Sequence, residues 1–191
     1  KAAAVIGKMP NIPANRLNNQ YDFQKQGFTV SCEELSGIKA LEIAADAIRK
    51  NEISTAIVGA VDLSKEKVHE ICTKELMGED FVPPADAALI MVLKDYEAAK
   101  KDGDKIFAVL PDGADGTNGI NGADIAGTIK NNKESILSEL GHSHAASGLL
   151  HVAAGAVLTA HRCVLDPSGH SDFSDFPDFS GHSDRQTKPL V

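Results

Sequence analysis

The sequence predicts an α/β layered fold on three observations: a short β-branched apolar run at Thr55–Val61, apolar residues at helical spacing just before it, and a second apolar run at Ala87–Lys94. Runs of this kind, without strict polar alternation, suit a sheet that is largely buried.

The elements follow in chain order. Gly27-Phe28-Thr29-Val30 is short, β-branched and aromatic, which predicts a buried strand. Ser31 reads as the N-cap of the next helix, with Glu33 and Glu34 in its first turn. Carboxylates are favourable there, against free backbone N–H groups and the positive end of the helix dipole. Ile38, Leu41, Ile43, Ala45 and Ile48 recur at helical spacing, so the helix covers 33–50 and ends near Lys50-Asn51. Thr55–Val61 is a buried strand with Asp62 at its exit. Pro83-Pro84 bounds the run at 87–94, which leads into a charged helical segment, Asp95–Lys101. Asp102-Gly103-Asp104 then turns into a strand at 105–110. From Ala145 to His161 almost every residue is small or apolar, with Ala, Gly and Ser at 145–148 and Ala and Gly at 153–156. That is the composition of a buried helix whose backbone approaches a neighbour closely.

Composition excludes several classes of function. The 191 residues suffice for one substantial core. A net charge of −8 with no Lys/Arg run argues against nucleic acid as a partner. No apolar run has membrane-spanning length, and KAAAVIG is too short for a signal-peptide core, so the expectation is a cytoplasmic protein without a membrane partner. Cys32, Cys72 and Cys163 show no zinc-type spacing and are odd in number, which fits reduced thiols. The Gly/Asn-rich segment 111–132 includes DGADGTNGINGAD, whose spacing lacks the closing glutamate of a calcium loop. Residues 166–191 form a low-complexity tail in which Ser-Gly-His-Ser-Asp recurs at a spacing of twelve. His170 and His182 lie in that repeat without a rigid frame for a metal, so no metal ligands are assigned.

Two segments carry a resemblance. Arg16-Leu17 to Asp22-Phe23, followed by TVSCEELSGIKALEIAADAIRKNEISTAIVGAVDLS, resembles without a gap the ketosynthase family of β-ketoacyl-carrier-protein synthases. Condensing members read approximately TVDTACSSSLVAL in this register. Anchoring Thr29-Val30 and Ala40-Leu41 places the family's nucleophilic cysteine at Glu34, with Cys32 two residues earlier as an alternative nucleophile. Gly141-His142-Ser143-His144-Ala145-Ala146-Ser147-Gly148 is similar to the GHTEAAAG-like element, which makes His142 the retained family histidine. The resemblance implies a thiolase-like layered fold, helices packed between mixed sheets in two related halves. It also implies an incomplete one: residues 1–165 form a partial ketosynthase-like domain with 111–132 shortened. The lysine that precedes the GHT element falls at Leu137, and neither an HGTGT nor a GFGGTN segment occurs in this sequence.

A thiolate at a helix start is nucleophilic because dipole and N–H groups lower its pKa. A carboxylate in that place could form only an acyl anhydride, less stable than the incoming thioester. The resemblance therefore points to the chain-length-factor-like branch, nearest that of bacterial polyunsaturated fatty acid synthases. It implies pairing with an active ketosynthase, an acyl carrier protein as partner, and its phosphopantetheine arm as substrate carrier, with no cofactor bound directly. In this family the pairing surface includes the segment beside the nucleophile turn, here residues 27–34. Two alternatives stand beside it: an enzyme, either a malonyl decarboxylase working through His142 or a condensing enzyme using Cys32, and an inactive structural remnant.

Overall fold

The computed structural model describes residues 9–110 and 140–161. The expectations for 111–132, the tail from 166, Leu137 and Cys163 lie outside these residues. The first helix, α1, spans Ile12–Tyr21, opens with a proline in its first turn and stops at Asp22, which adopts the left-handed conformation and donates its N–H to Asn18 O. None of its residues is buried. Helix α2 (Ser36–Arg49) leads to strand β1 (Thr55–Leu63). Helix α3 (Lys67–Met77) lies between β1 and strand β2 (Asp86–Lys94). A short helix α4 (Tyr96–Asp102) follows, and α5 (Ser147–His161) closes the described chain.

β1 and β2 pair antiparallel, from Thr55 opposite Lys94 to Leu63 opposite Asp86. Side chains alternate across the two faces of such a pair. Ala56, Val58 and Ala60 therefore share the inner face with Leu89, Met91 and Leu93. Against this face pack Leu41, Ala45 and Ile48 of α2 and Leu149 and Val152 of α5, with Leu110 completing the cluster. Leu41, Leu93 and Leu149 are fully buried; each such leucine contributes roughly 1.5–3 kcal/mol relative to an exposed one. Lys94 holds the end of β2 against the loop after α4 by ion pairs to Asp102 at 2.5 Å and Asp104 at 2.6 Å.

The helix over 33–50, both strands and the helix after Asp95 form within a few residues of expectation, and Asp95 caps α4 by accepting from Ala98 N–H at 3.0 Å. Four expectations are corrected. Gly27–Val30 is not a strand: it has no ladder partner among the described residues, and its surroundings bond through side chains instead. Asn18 Nδ2 donates to Lys25 O, and Thr29 Oγ1 donates to Pro10 O at 2.7 Å. Ser31 is not the N-cap: a 3₁₀ turn at Glu33–Leu35 precedes α2, neither start carries a side-chain cap, and Ser36 Oγ instead ties the turn together by accepting from Cys32 N–H. Residues 105–110 keep a strand's alternating exposure but join no ladder with β1 or β2, although Leu110 reaches the core. Finally, among the described residues the sheet is covered on one face only. Val61, Leu63, Ile90 and Val92 on the outer face are each more than half exposed, so the expected largely buried sheet does not hold for the described residues.

Candidate functional site

The helices α2 and α5 begin in the same way, and their starts meet. At the first, Glu33 has a positive φ of 50°, a 3₁₀ turn follows, and Cys32 N–H donates to Ser36 Oγ at 2.9 Å. At the second, His144 has a φ of 37°, a 3₁₀ turn spans His144–Ala146, and Ser143 N–H donates to Ser147 Oγ at 2.7 Å. Positive φ is uncommon outside glycine, so its recurrence at two helix starts marks a shared construction. Each serine is followed by a glycine that admits the other helix. A Cβ at Gly37 would lie 2.8 Å from Leu149 Cβ, and one at Gly148 would lie 2.6 Å from Ile38 Cγ1. Small residues at 145–148 thus do what the sequence implied: they let the two backbones close on one another.

This approach brings Glu34 and His142 together. His142 is placed by a short parallel bridge, in which its N–H donates to Pro83 O at 3.0 Å and its carbonyl accepts from Ala85 N–H at 2.9 Å. Gly141 makes this possible with a φ of 74°; a Cβ there would lie 2.9 Å from Pro83 O. His142 Nδ1 accepts a long hydrogen bond from His144 N–H at 3.4 Å. In a neutral ring, that acceptor role at Nδ1 leaves the proton on Nε2. Nε2 in turn lies 3.7 Å from Glu34 Oε1, with His142 mostly shielded and Glu34 largely exposed. The side chain that reaches His142 is Glu34's, while Cys32 is exposed two residues earlier, just before the turn. Glu34, His142 and Cys32 thus lie at or beside two adjoining helix starts.

His144 adjoins His142, and Asp62 and His69 adjoin His144; none of the three was singled out as a site residue. Asp62 Oδ2 accepts from Ala145 N–H at 3.2 Å and lies 3.9 Å from His144 Nδ1. The His144 ring meets His69 edge-on at 6.1 Å and His142 at 6.4 Å. Only the position of Asp62 at a strand exit was visible beforehand, and nothing in local spacing joins it to residue 145. Among the described residues no group of three His, Cys, Asp or Glu side chains could hold a metal ion. Nor is any described helix long and apolar enough to cross a membrane.

Sequence and fold are each similar to those of known proteins. Residues 1–80 match the family model described as Beta-ketoacyl synthase, N-terminal domain. A highly reducing polyketide synthase of a Fusarium species is 29% identical over 119 residues, which are 56% of this chain and 5% of that protein. Among solved structures, the ketosynthase from module 6 of the bacillaene synthase of Bacillus subtilis 168 superposes with a TM-score of 0.64 at 17% identity, over 96% of this chain and 44% of that one. A chain from the complex of a type II PKS acyl-carrier protein with its ketosynthase bound to the hexaketide gives 0.60 at 16% identity, over 80% of this chain and 55% of the other. The chain thus spans only part of the length of each relative, and its fold is the thiolase-like α/β arrangement in incomplete form. In sequence, residues 1–80 are thus similar to the N-terminal domain of β-ketoacyl synthases, and the fold is similar to that of solved ketosynthases.

Proposed function

We propose that the chain is a non-condensing, chain-length-factor-like module that pairs with an active ketosynthase of a fatty acid or polyketide synthase, within polyunsaturated fatty acid synthesis and in the cytoplasm. One observation carries this reading: an exposed carboxylate, Glu34, which the resemblance aligns with the nucleophile position, faces His142 at 3.7 Å. A carboxylate there does not take up an acyl chain as a stable intermediate, so loading falls to a partner that retains the thiol. The exposure of residues 28, 29 and 31–34 supports pairing, because the segment the family uses for it is open on this chain. Phe28 and Leu35 are both more than half exposed there, the kind of apolar area that a partner covers. The acyl carrier protein would then bring its phosphopantetheine arm to the partner's cysteine, with this chain shaping the adjoining wall.

A second reading is favoured by the ring proton on His142 Nε2, which gives the site one donor for a thioester carbonyl. With it the site would decarboxylate malonyl groups, although the Glu34 charge opposes a malonyl carboxylate and the enolate that forms. Co-expression with an active ketosynthase separates these readings. Co-purification as a heterodimer, together with intact masses showing no acyl group on this chain after incubation with acyl-loaded carrier protein, is the expected result. An acyl adduct on Cys32, or failure to co-purify, overturns the proposal. Carbon dioxide release that disappears in His142→Ala would instead establish the decarboxylase.

A further inference from the structure

We propose that Asp62 is a positioning residue for His142: it clamps the turn His144–Ala146 to the end of β1, keeps the His144 N–H on His142 Nδ1 and thereby leaves the ring proton on Nε2, the nitrogen that faces position 34. Asp62 sits on the inner face near the end of β1, and both of its carboxylate oxygens are engaged. Oδ1 accepts from Ser64 Oγ at 2.5 Å, and Ser64 is itself 1% exposed. Oδ2 accepts from Ala145 N–H at 3.2 Å across 83 residues of sequence. First-turn N–H groups have no partner within their own helix, and a carboxylate from another element is a strong acceptor for one.

The consequence passes through His144. Its φ of 37° is unfavourable for a residue with a Cβ and persists where neighbours hold it. Asp62 restrains it through the bond to the adjoining Ala145 N–H, with Oδ2 3.9 Å from His144 Nδ1, and the His69 ring stands nearly perpendicular to the His144 ring. In this conformation the His144 N–H points at His142 Nδ1, which makes Nδ1 the acceptor and Nε2 the bearer of the proton. If the clamp is released, His144 relaxes, Nδ1 loses its donor, and the imidazole is free to carry its proton on either nitrogen. The assignment concerns how His142 is held and stands apart from whether the site decarboxylates or only docks.

The test reads the His142 tautomer by ¹⁵N chemical shifts of its ring in the full chain, with amide hydrogen exchange at Ala145 beside it. The wild type is expected to show two well-separated ring nitrogens, with Nε2 protonated. Asp62→Ala should bring the two shifts toward each other and speed exchange at Ala145 at least about tenfold, the equivalent of one lost charge-assisted bond. Asp62→Asn should restore the wild-type pattern, because its amide oxygen still accepts from Ala145 and its amide nitrogen can donate to Ser64. If Asp62→Ala does not fold, Ser64→Ala serves instead; it frees the carboxylate to turn and should give the same convergence in smaller measure. Unchanged ring shifts in folded Asp62→Ala or Ser64→Ala overturn the assignment, as does an Asp62→Asn variant that behaves like Asp62→Ala.

Discussion

Gly148→Ala puts the close approach of α2 and α5 to a quantitative test. The added Cβ would lie 2.6 Å from Ile38 Cγ1 and 3.3 Å from Ile38 Cδ1. Carbon atoms pack at about 3.5–4.0 Å, so the helices or the isoleucine must give way by roughly 1 Å. Overpacking of that size costs about 1–3 kcal/mol, while alanine in place of a helical glycine returns about 1 kcal/mol. The net expectation is a loss of roughly 0–2 kcal/mol in urea unfolding. Taken alone, that range is too wide to be decisive, so the sharper experiment is a double-mutant cycle with Ile38→Ala. With the isoleucine truncated, the clash is gone and Gly148→Ala should stabilise by up to about 1 kcal/mol, giving a coupling of about 1–3 kcal/mol between the two positions. Effects that add to within about 0.5 kcal/mol would refute the packing described for the site's two helices.

Two further outcomes follow from the same structure. Leu149, fully buried between α2 and the sheet, should cost about 2–5 kcal/mol on truncation to alanine, read as a shifted urea midpoint with unchanged slope; a loss below about 1 kcal/mol would mean that α5 does not form part of this core. Hydrogen bonding to Asp102 and Asp104 holds the Lys94 ammonium above its ordinary value of 10.5. A raised folded pKa means the contribution is fully present below the unfolded value and is lost as pH rises through the folded one. Stability should therefore fall above about pH 10.5 less steeply in Lys94→Met than in the wild type, and an identical alkaline slope would remove the clamp from the account.

How much of this was legible in the sequence depended on burial. Helix α2 and strands β1 and β2 were readable because Leu41, Ala45, Ile48, Val58 and Leu93 are core residues and impose a period on the pattern. Helices α1 and α3 bury none of their residues, so no apolar stripe announced them. Gly27–Val30 misled for the opposite reason: β-branched and aromatic side chains signal compatibility with a sheet, but a strand also needs a neighbour, and this segment has Asn18 and Pro10 beside it instead. The proximity of Glu34 and His142 was reached only through the resemblance of two distant motifs. Asp62 escaped notice because its bond to Ala145 spans 83 residues with no motif at either end.

The turn that presents residue 34 is closed entirely by other residues. Cys32 and Ser36 bond across it, Ser36 Oγ donates to Glu33 O, and Leu35 N–H donates to Cys32 O. None of these bonds calls on the side chain at 34, whose recorded contact is with His142. Exchanging glutamate for an amide, thiol or hydroxyl should therefore alter the chemistry offered there while leaving these three bonds in place.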